Sequence, residues 1–576
     1  MKSLLVYLVA LLNAPTPAAI PAKDPIPAYP TQDFRSPLDI PMSLAGNYGE
    51  PRRLHFHTGL DFRTNQVEGL NVYAVADGYV SRINVSGSGY GKALYITHKN
   101  GYTTVYGHLQ RFSDKIEKRL QQEQYANESF SVDFTLKKDE LPVTKSEIVA
   151  FSGNTGGSGG PHLHFEVRDS LERPINPMLF GYKLTDNIKP TMAYIKFYPQ
   201  DERKYYSSGY RVRTVGANGI YQVAENLVSL NADKVSFSVN TTDRINGSGF
   251  TMGVYGMKMF VNGEKKFEFN MNRMMFNEKR SVIAHIDYPI FMNEGRRSFH
   301  KCFVEPADEC SIYSDVQNRG LVDLSDGKPK AIKIEIYDFA GNVSTCEFNL
   351  RKSDAAQVFK TETLEYDQML FPFKQNEFKN DEISISIPPK MIFDTLPLKY
   401  NRVETAEPAF FSAIHQLGKV TTLLFDFVQL KLKPSKPIPA GQEDKAVVVW
   451  KNESGNWVSK GGKYDGKILT TTTREFGDYS VKIDTTPPRI RAINVAPGKY
   501  MRPLKTVLFT IGDNLSGIKS YKTYIDNKFV ISEYDAKTAR LFHHLDSNLA
   551  AGNHEFKIVV KDERNNEATY TISFRM

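Results

Sequence analysis

Residues 47–168 alternate apolar and polar positions between glycine turns, the period-two pattern of half-buried strands. Residues 72–85 read as strand, turn and strand, and 93–98 and 102–106 as a hairpin about Asn100-Gly101. One helical stretch, 113–124, carries opposite charges three and four apart and opens an apparent insertion, 113–142. Val132, Phe134 and Leu136 then alternate as a further strand, so this block reads as antiparallel β.

An internal repeat organises the rest. Asp186-x3-Pro190-x-Met192-x2-Ile195-x-Phe197-x-Pro199 recurs as Asp484-x3-Pro488-x-Ile490-x2-Ile493-x-Val495-x-Pro497. In each copy a strand then leads to an aspartate turn, at Asp243 and Asp513, and the copies close alike on Asp338-x3-Asn342 and Asp562-x3-Asn566. We read two copies of one β-sandwich module, 186–352 with an insertion and 484–576, resembling bacterial immunoglobulin-like domains. A third β-rich unit, 353–483, lies between them. The closing turns read as Asx turns in preference to calcium ligands. The expected fold class is mainly β: an antiparallel β catalytic domain at 47–182, then β-sandwich modules.

The 576 residues suggest several domains. With 41% hydrophobic and 24% charged residues, wholesale disorder, collagen and a polytopic membrane protein are excluded. A net charge of +8 is too mild to indicate a nucleic-acid partner. Three cysteines supply neither a disulfide framework nor a cysteine-rich zinc module. Cys302 and Cys310 are a candidate pair in an oxidising compartment, which leaves Cys346 single.

Lys2, an apolar run at 4–12 and small residues up to Ala22 read as a secretory signal peptide, 1–22, ahead of a proline-rich leader, 23–46. The run reaches only about 14 Å as a helix, too short for a transmembrane span. Residues 410–432 come nearest to a later span, but His415, Gln416, Lys419 and Asp426 break them. The mature protein is expected to be exported, to the periplasm or cell envelope.

Six of the twelve histidines fall between His55 and His164. They include His57-Thr-Gly-Leu-Asp61, Tyr106-Gly-His108-Leu109 and His162-Leu-His164-Phe-Glu166. In a strand His162 and His164 share a face. His57 and Asp61 converge only if the chain bends at Gly59. Two histidines and a carboxylate suit a catalytic zinc site, and histidines left over suit proton transfer near neutral pH. His55 and His98 fall on no motif position. Glu166 shares the histidine face, either orienting an imidazole or serving a structural role. The glycine-rich 152–160 lacks a phosphate-loop lysine and reads as a substrate-lining loop.

These motifs, with Gly153-Asn-Thr-Gly-x-Ser-x-Gly-Pro161, resemble the LytM/lysostaphin-type zinc metallopeptidases (metallopeptidase family 23), over roughly 50–180. The resemblance implies Zn2+ held by His57, Asp61 and His164, with His108 and His162 as catalytic histidines that do not bind the metal. It implies a metalloendopeptidase acting on peptidoglycan stem peptides or cross-bridges, with envelope proteins as partners of the β-sandwich modules. The alternative is a non-enzymatic regulator or scaffold of other wall hydrolases. The insertion 113–142 departs from the family pattern, and we expect it to cap the substrate groove or to pack on a neighbouring domain.

Overall fold

The computed structural model describes residues 28–576. The expected signal peptide, 1–22, and the first part of the expected leader lie outside the described residues.

The first block contains β1 (Leu44–Gly46), β2 (Leu60–Arg63), β3 (Asn71–Tyr73), β4 (Gly78–Val85), β5 (Lys92–His98), β6 (Thr103–Gly107) and β7 (Arg111–Phe112). Helix α1 (Asp114–Ala126) follows, then β8 (Val132–Thr135), β9 (Pro142–Val143), β10 (Ile148–Phe151), β11 (His162–Arg168) and β12 (Pro174–Ile175). The main sheet runs β1-β2-β11-β6-β5-β4-β8, and β3-β10-β7 forms a small second sheet. Alternation along β11 decides its orientation. Leu163, Phe165 and Val167 enter the core, where the Phe165 ring meets those of Phe62 and Tyr106 at 5.9 and 5.4 Å. His162, His164, Glu166 and Arg168 therefore share the opposite face.

The inserted helix buries Ile116, Leu120 and Gln124, a stripe at four-residue spacing. β8 then pairs with β4, covering the sheet edge remote from β2 and β11. Tyr125 meets Phe529 edge-on at 5.9 Å, and Glu128 pairs with Lys522 at 2.6 Å. The insertion thus packs against the last module, the second of its two expected roles.

The two repeat copies share their strand pairing. Thr191–Pro199 pairs with Lys234–Thr242 as Arg489–Ala492 pairs with Thr506–Gly512. Lys330–Tyr337 lies between Gly256–Val261 and Val343–Lys352, as Asn553–Asp562 lies between Ile518–Ile525 and Glu567–Arg575. Each closing strand also takes a parallel neighbour, Ile220–Leu230 or Lys499–Tyr500. Between the copies, two five-stranded sheets enclose a core that includes Ile385, Val448 and Phe476. The first block and the first copy share one continuous core. Cys302, Cys310 and Cys346 are buried and free, so the candidate pair is not formed. Among the described residues no helix is long and apolar enough to cross a membrane.

Phe165 is fully buried at the centre of the main sheet. Phe165→Ala should cost about 3–5 kcal/mol through lost transfer energy and a cavity. Urea unfolding of the first block should show a markedly lower midpoint, whereas Ile220→Ala, at a 73% exposed position, should leave it in place. Equal shifts for the two variants would contradict this packing.

Candidate metal centre

Backbone pairing builds the centre. Asp61 on β2 lies directly opposite His164 on β11, and His164 in turn faces Gly107 on β6. His57 precedes β2 on a loop anchored by the buried Phe56. Gly59 brings that loop against β11: a Cβ there would stand 2.4 Å from the Phe165 carbonyl oxygen. Close approach is what requires glycine here.

Three atoms converge. His57 Nε2 lies 3.0 Å from His164 Nδ1 and 3.1 Å from Asp61 Oδ1, and His164 Nδ1 lies 3.0 Å from the same oxygen. Hydrogen-bond partners assign the tautomers. His57 Nδ1–H donates to the Asn47 carbonyl at 2.8 Å, and His164 Nε2–H donates to Glu166 Oε1 at 2.9 Å. In the neutral imidazoles the two facing nitrogens therefore point their lone pairs at one another and at a carboxylate oxygen. Such a donor set fits a divalent cation: two imidazoles and one carboxylate, three protein ligands as in a catalytic zinc site. Without an ion, burial pulls the His164 imidazole down, but Asp61 and Glu166 outweigh it and hold the ring protonated up to about 9. Proton and metal compete for that nitrogen.

The surroundings hold each ligand. Arg52 binds Asp61 Oδ2 at 2.5 Å and Glu50 at 2.7 Å, which leaves Oδ1 for the centre. Glu166 is fully buried and accepts from Thr58 at 2.6 Å, Tyr90 at 2.5 Å and Arg168 at 2.7 Å. Burial alone would raise its carboxyl; the Arg168 guanidinium and the His164 imidazole hold it well below the usual carboxylate range. Of the two readings of Glu166, orienting the imidazole is the one this geometry matches.

His108 and His162 stand beside the centre, their ring centroids 4.8 Å apart. His108 adopts φ +59°, an unusual conformation for a non-glycine residue, with its backbone N–H bonded to the Tyr90 carbonyl at 2.8 Å. Its Nδ1–H donates to the Thr155 carbonyl at 2.8 Å. Burial, then the imidazoles of His164 and His162, lower its pKa to about 3. His162 Nδ1–H donates to the Gly160 carbonyl at 2.8 Å, and Nε2 stands 3.5 Å from Asp61 Oδ1. His98 is buried on Thr104 at 2.8 Å, while His55 is exposed; neither joins the group.

The centre opens on a cleft of about 910 Å³. Asp61, His162 and Gly160 line one side, and Phe250, Arg296 and Arg297 of the first β-sandwich copy line the other. On another flank, Lys537 of the last module donates to the Asn154 carbonyl in the glycine-rich loop, and Glu533 pairs with Lys92 at 2.8 Å. Sequence reasoning missed Asn47, Arg52, Thr58, Tyr90 and the cleft wall. Arg168 was within reach, since it continues the alternation of His162, His164 and Glu166.

Residues 55–131 match the model described as Peptidase family M23, and residues 367–484 match that of a Zu5-like domain. Over 122 residues the chain is 36% identical to the DD-carboxypeptidase/endopeptidase Mpg of Neisseria meningitidis serogroup B, covering 21% of this chain and 22% of that protein. Over 170 residues it is 32% identical to the peptidoglycan DD-endopeptidase ShyA of Vibrio cholerae serotype O1, covering 28% and 32% respectively. The match thus spans about a fifth to a third of the length of these relatives. The catalytic domain of lysostaphin from Staphylococcus simulans aligns at 23% identity and a TM-score of 0.18, over 24% of this chain and 88% of that one. On the family match and these relatives, the chain carries a Peptidase family M23 domain, with further β domains behind it.

Proposed function

We propose that the protein is an exported zinc metalloendopeptidase that hydrolyses peptide bonds in peptidoglycan stem peptides or cross-bridges. The observation that carries this reading is the convergence of His57 Nε2, His164 Nδ1 and Asp61 Oδ1 within 3.1 Å, beside two histidines that are not in the ligand group. Zinc, when bound, supplies the Lewis acidity that activates water and polarises the scissile carbonyl. His108 and His162 each spend Nδ1–H on a backbone carbonyl, so each keeps Nε2 as the atom that takes or returns a proton. Arg296 and Arg297 put positive charge on the far wall of the cleft, suited to peptides bearing free carboxylates. The relatives Mpg and ShyA, named for carboxypeptidase and endopeptidase activities, support the same substrate class. We assign the protein to the periplasm or cell envelope on its signal-like N-terminus, and read the repeated sandwiches as immunoglobulin-like modules that meet envelope partners.

Purified protein incubated with intact peptidoglycan should release cleaved peptides, detected by mass spectrometry. A chelator should abolish the release and added zinc restore it. Fully zinc-loaded protein that leaves the wall and cross-linked peptides uncut would instead support the regulator reading.

Asp61→Ala should lose both zinc and activity, since two imidazoles leave the ion under-coordinated. Full zinc occupancy in that variant would remove Asp61 from the ligand set. His108→Ala and His162→Ala should each keep zinc and lose at least about two decades of turnover. Metal loss in either, with retention in His164→Ala, would reverse the division of the two β11 histidines. Glu166→Gln should weaken zinc binding by about 10–100-fold, measured by competition with a chromophoric chelator, because the carboxylate that orients His164 loses its charge.

A further inference from the structure

The two β-sandwich copies each bring three aspartates together. In the first, Asp186 lies on the segment entering the module, Asp243 follows strand Lys234–Thr242, and Asp338 follows strand Lys330–Tyr337. In the second, Asp484, Asp513 and Asp562 occupy the matching positions. Within each triad one carboxylate oxygen from every member lies within 4.8 Å of the others. We propose that each triad is a site for a hard divalent cation of the calcium class, one per module, distinct from the histidine centre.

An unsatisfied atom points to the ligand. Asp243 is 3% exposed, yet its Oδ1 has no hydrogen-bond partner. The equivalent oxygen in the other copy, Asp513 Oδ1, is unpartnered as well. A buried carboxylate oxygen without a donor is costly, and its recurrence at one position of a repeat argues for a shared purpose. No salt bridge within 4.0 Å among the described residues is formed by Asp186, Asp243 or Asp338, and at the second triad the nearby charge is that of Arg564, which acts on Asp484 and Asp562 without pairing with them.

The other aspartate oxygens are held in place by the fold. Asn342 donates its backbone N–H and side-chain amide to Asp338 at 2.9 and 2.7 Å, and Asn566 treats Asp562 likewise at 2.8 and 2.7 Å. The same amides reach the backbone carbonyls of Asp186 at 3.3 Å and Asp484 at 2.8 Å. Asx turns thus account for Asp338 and Asp562, and Asp513 Oδ2 likewise accepts from the Leu515 and Gly517 N–H groups at 2.9 and 2.8 Å, but Oδ1 of Asp243 and of Asp513 is left without a donor. The donors are all oxygen, without imidazole or thiolate, which selects a hard cation. Oxygens within 4.8 Å of one another can share one ion at calcium–oxygen bonds of about 2.3–2.6 Å, and calcium tolerates the irregular geometry that magnesium's octahedron does not. Asp186 and Asp484 stand where each module leaves the preceding block, so an ion there ties the entering chain to two strand ends. Beside the first triad, a cavity of about 520 Å³ reaches Asn47 and Tyr48 of the catalytic block.

Equilibrium dialysis of the full-length, zinc-loaded protein against calcium chloride should give two calcium ions per chain. Asp243→Asn and Asp513→Asn should each remove one ion and the double variant both, with zinc content unchanged. Melting supplies a second readout. Calcium should raise the wild-type midpoint, and without calcium Asp243→Asn should melt no lower than wild type, since an amide relieves the repulsion. Absence of bound calcium at about 10 mM, beyond the weakest extracellular calcium modules, overturns the proposal. Ion counts unchanged in both variants, or an Asp243→Asn protein destabilised in calcium-free buffer, overturn it equally.

Discussion

Two carboxylates, Asp61 and Glu166, are buried on opposite sides of one imidazole, and neither is stable there without positive charge close by. Much of the catalytic block follows from that constraint. Arg52 takes the outer oxygen of Asp61, Arg168 takes that of Glu166, and Thr58 and Tyr90 fill remaining acceptor sites. His164 between them is fixed in rotation and tautomer by what flanks it. The polar face of β11 is thus as closely specified as its apolar face: one is set by packing, the other by charge.

The division between legible and illegible residues has a physical basis. His57, Asp61, His108, His162 and His164 stood out in the sequence because strand alternation and short turns confine each set to a local motif. Strand pairing then joins the motifs through Asp61 opposite His164 and His164 opposite Gly107. Asn47, Arg52 and Tyr90 were invisible because nothing local marks them; only the closed sheet brings them to the site. The repeat was readable as a register of aspartates, prolines and strands. Its triads were not, since Asp186, Asp243 and Asp338 meet only after the sandwich closes. The insertion showed its helix and strand correctly, but where they dock depends on a free sheet edge that alternation cannot reveal.

The catalytic block is also held from outside itself. The first sandwich copy shares its core and supplies a wall of the cleft, while the last module grips the glycine-rich loop and the insertion. Gly91 and Gly156 show how tightly that loop is seated, because a Cβ on either would come within 2.3 Å of the other segment.

Asn47 links these levels. Its side chain exchanges two hydrogen bonds with Gly253 of the first sandwich, at 2.7 and 2.9 Å, while its carbonyl receives the Nδ1 proton of His57. The residue is therefore a mechanical linkage as well as a hydrogen-bond partner. The placement of the first sandwich and the orientation of the His57 ring are thus coupled through one peptide group, so a tilt that stretches the Gly253 contacts would pull on the carbonyl that sets the ring.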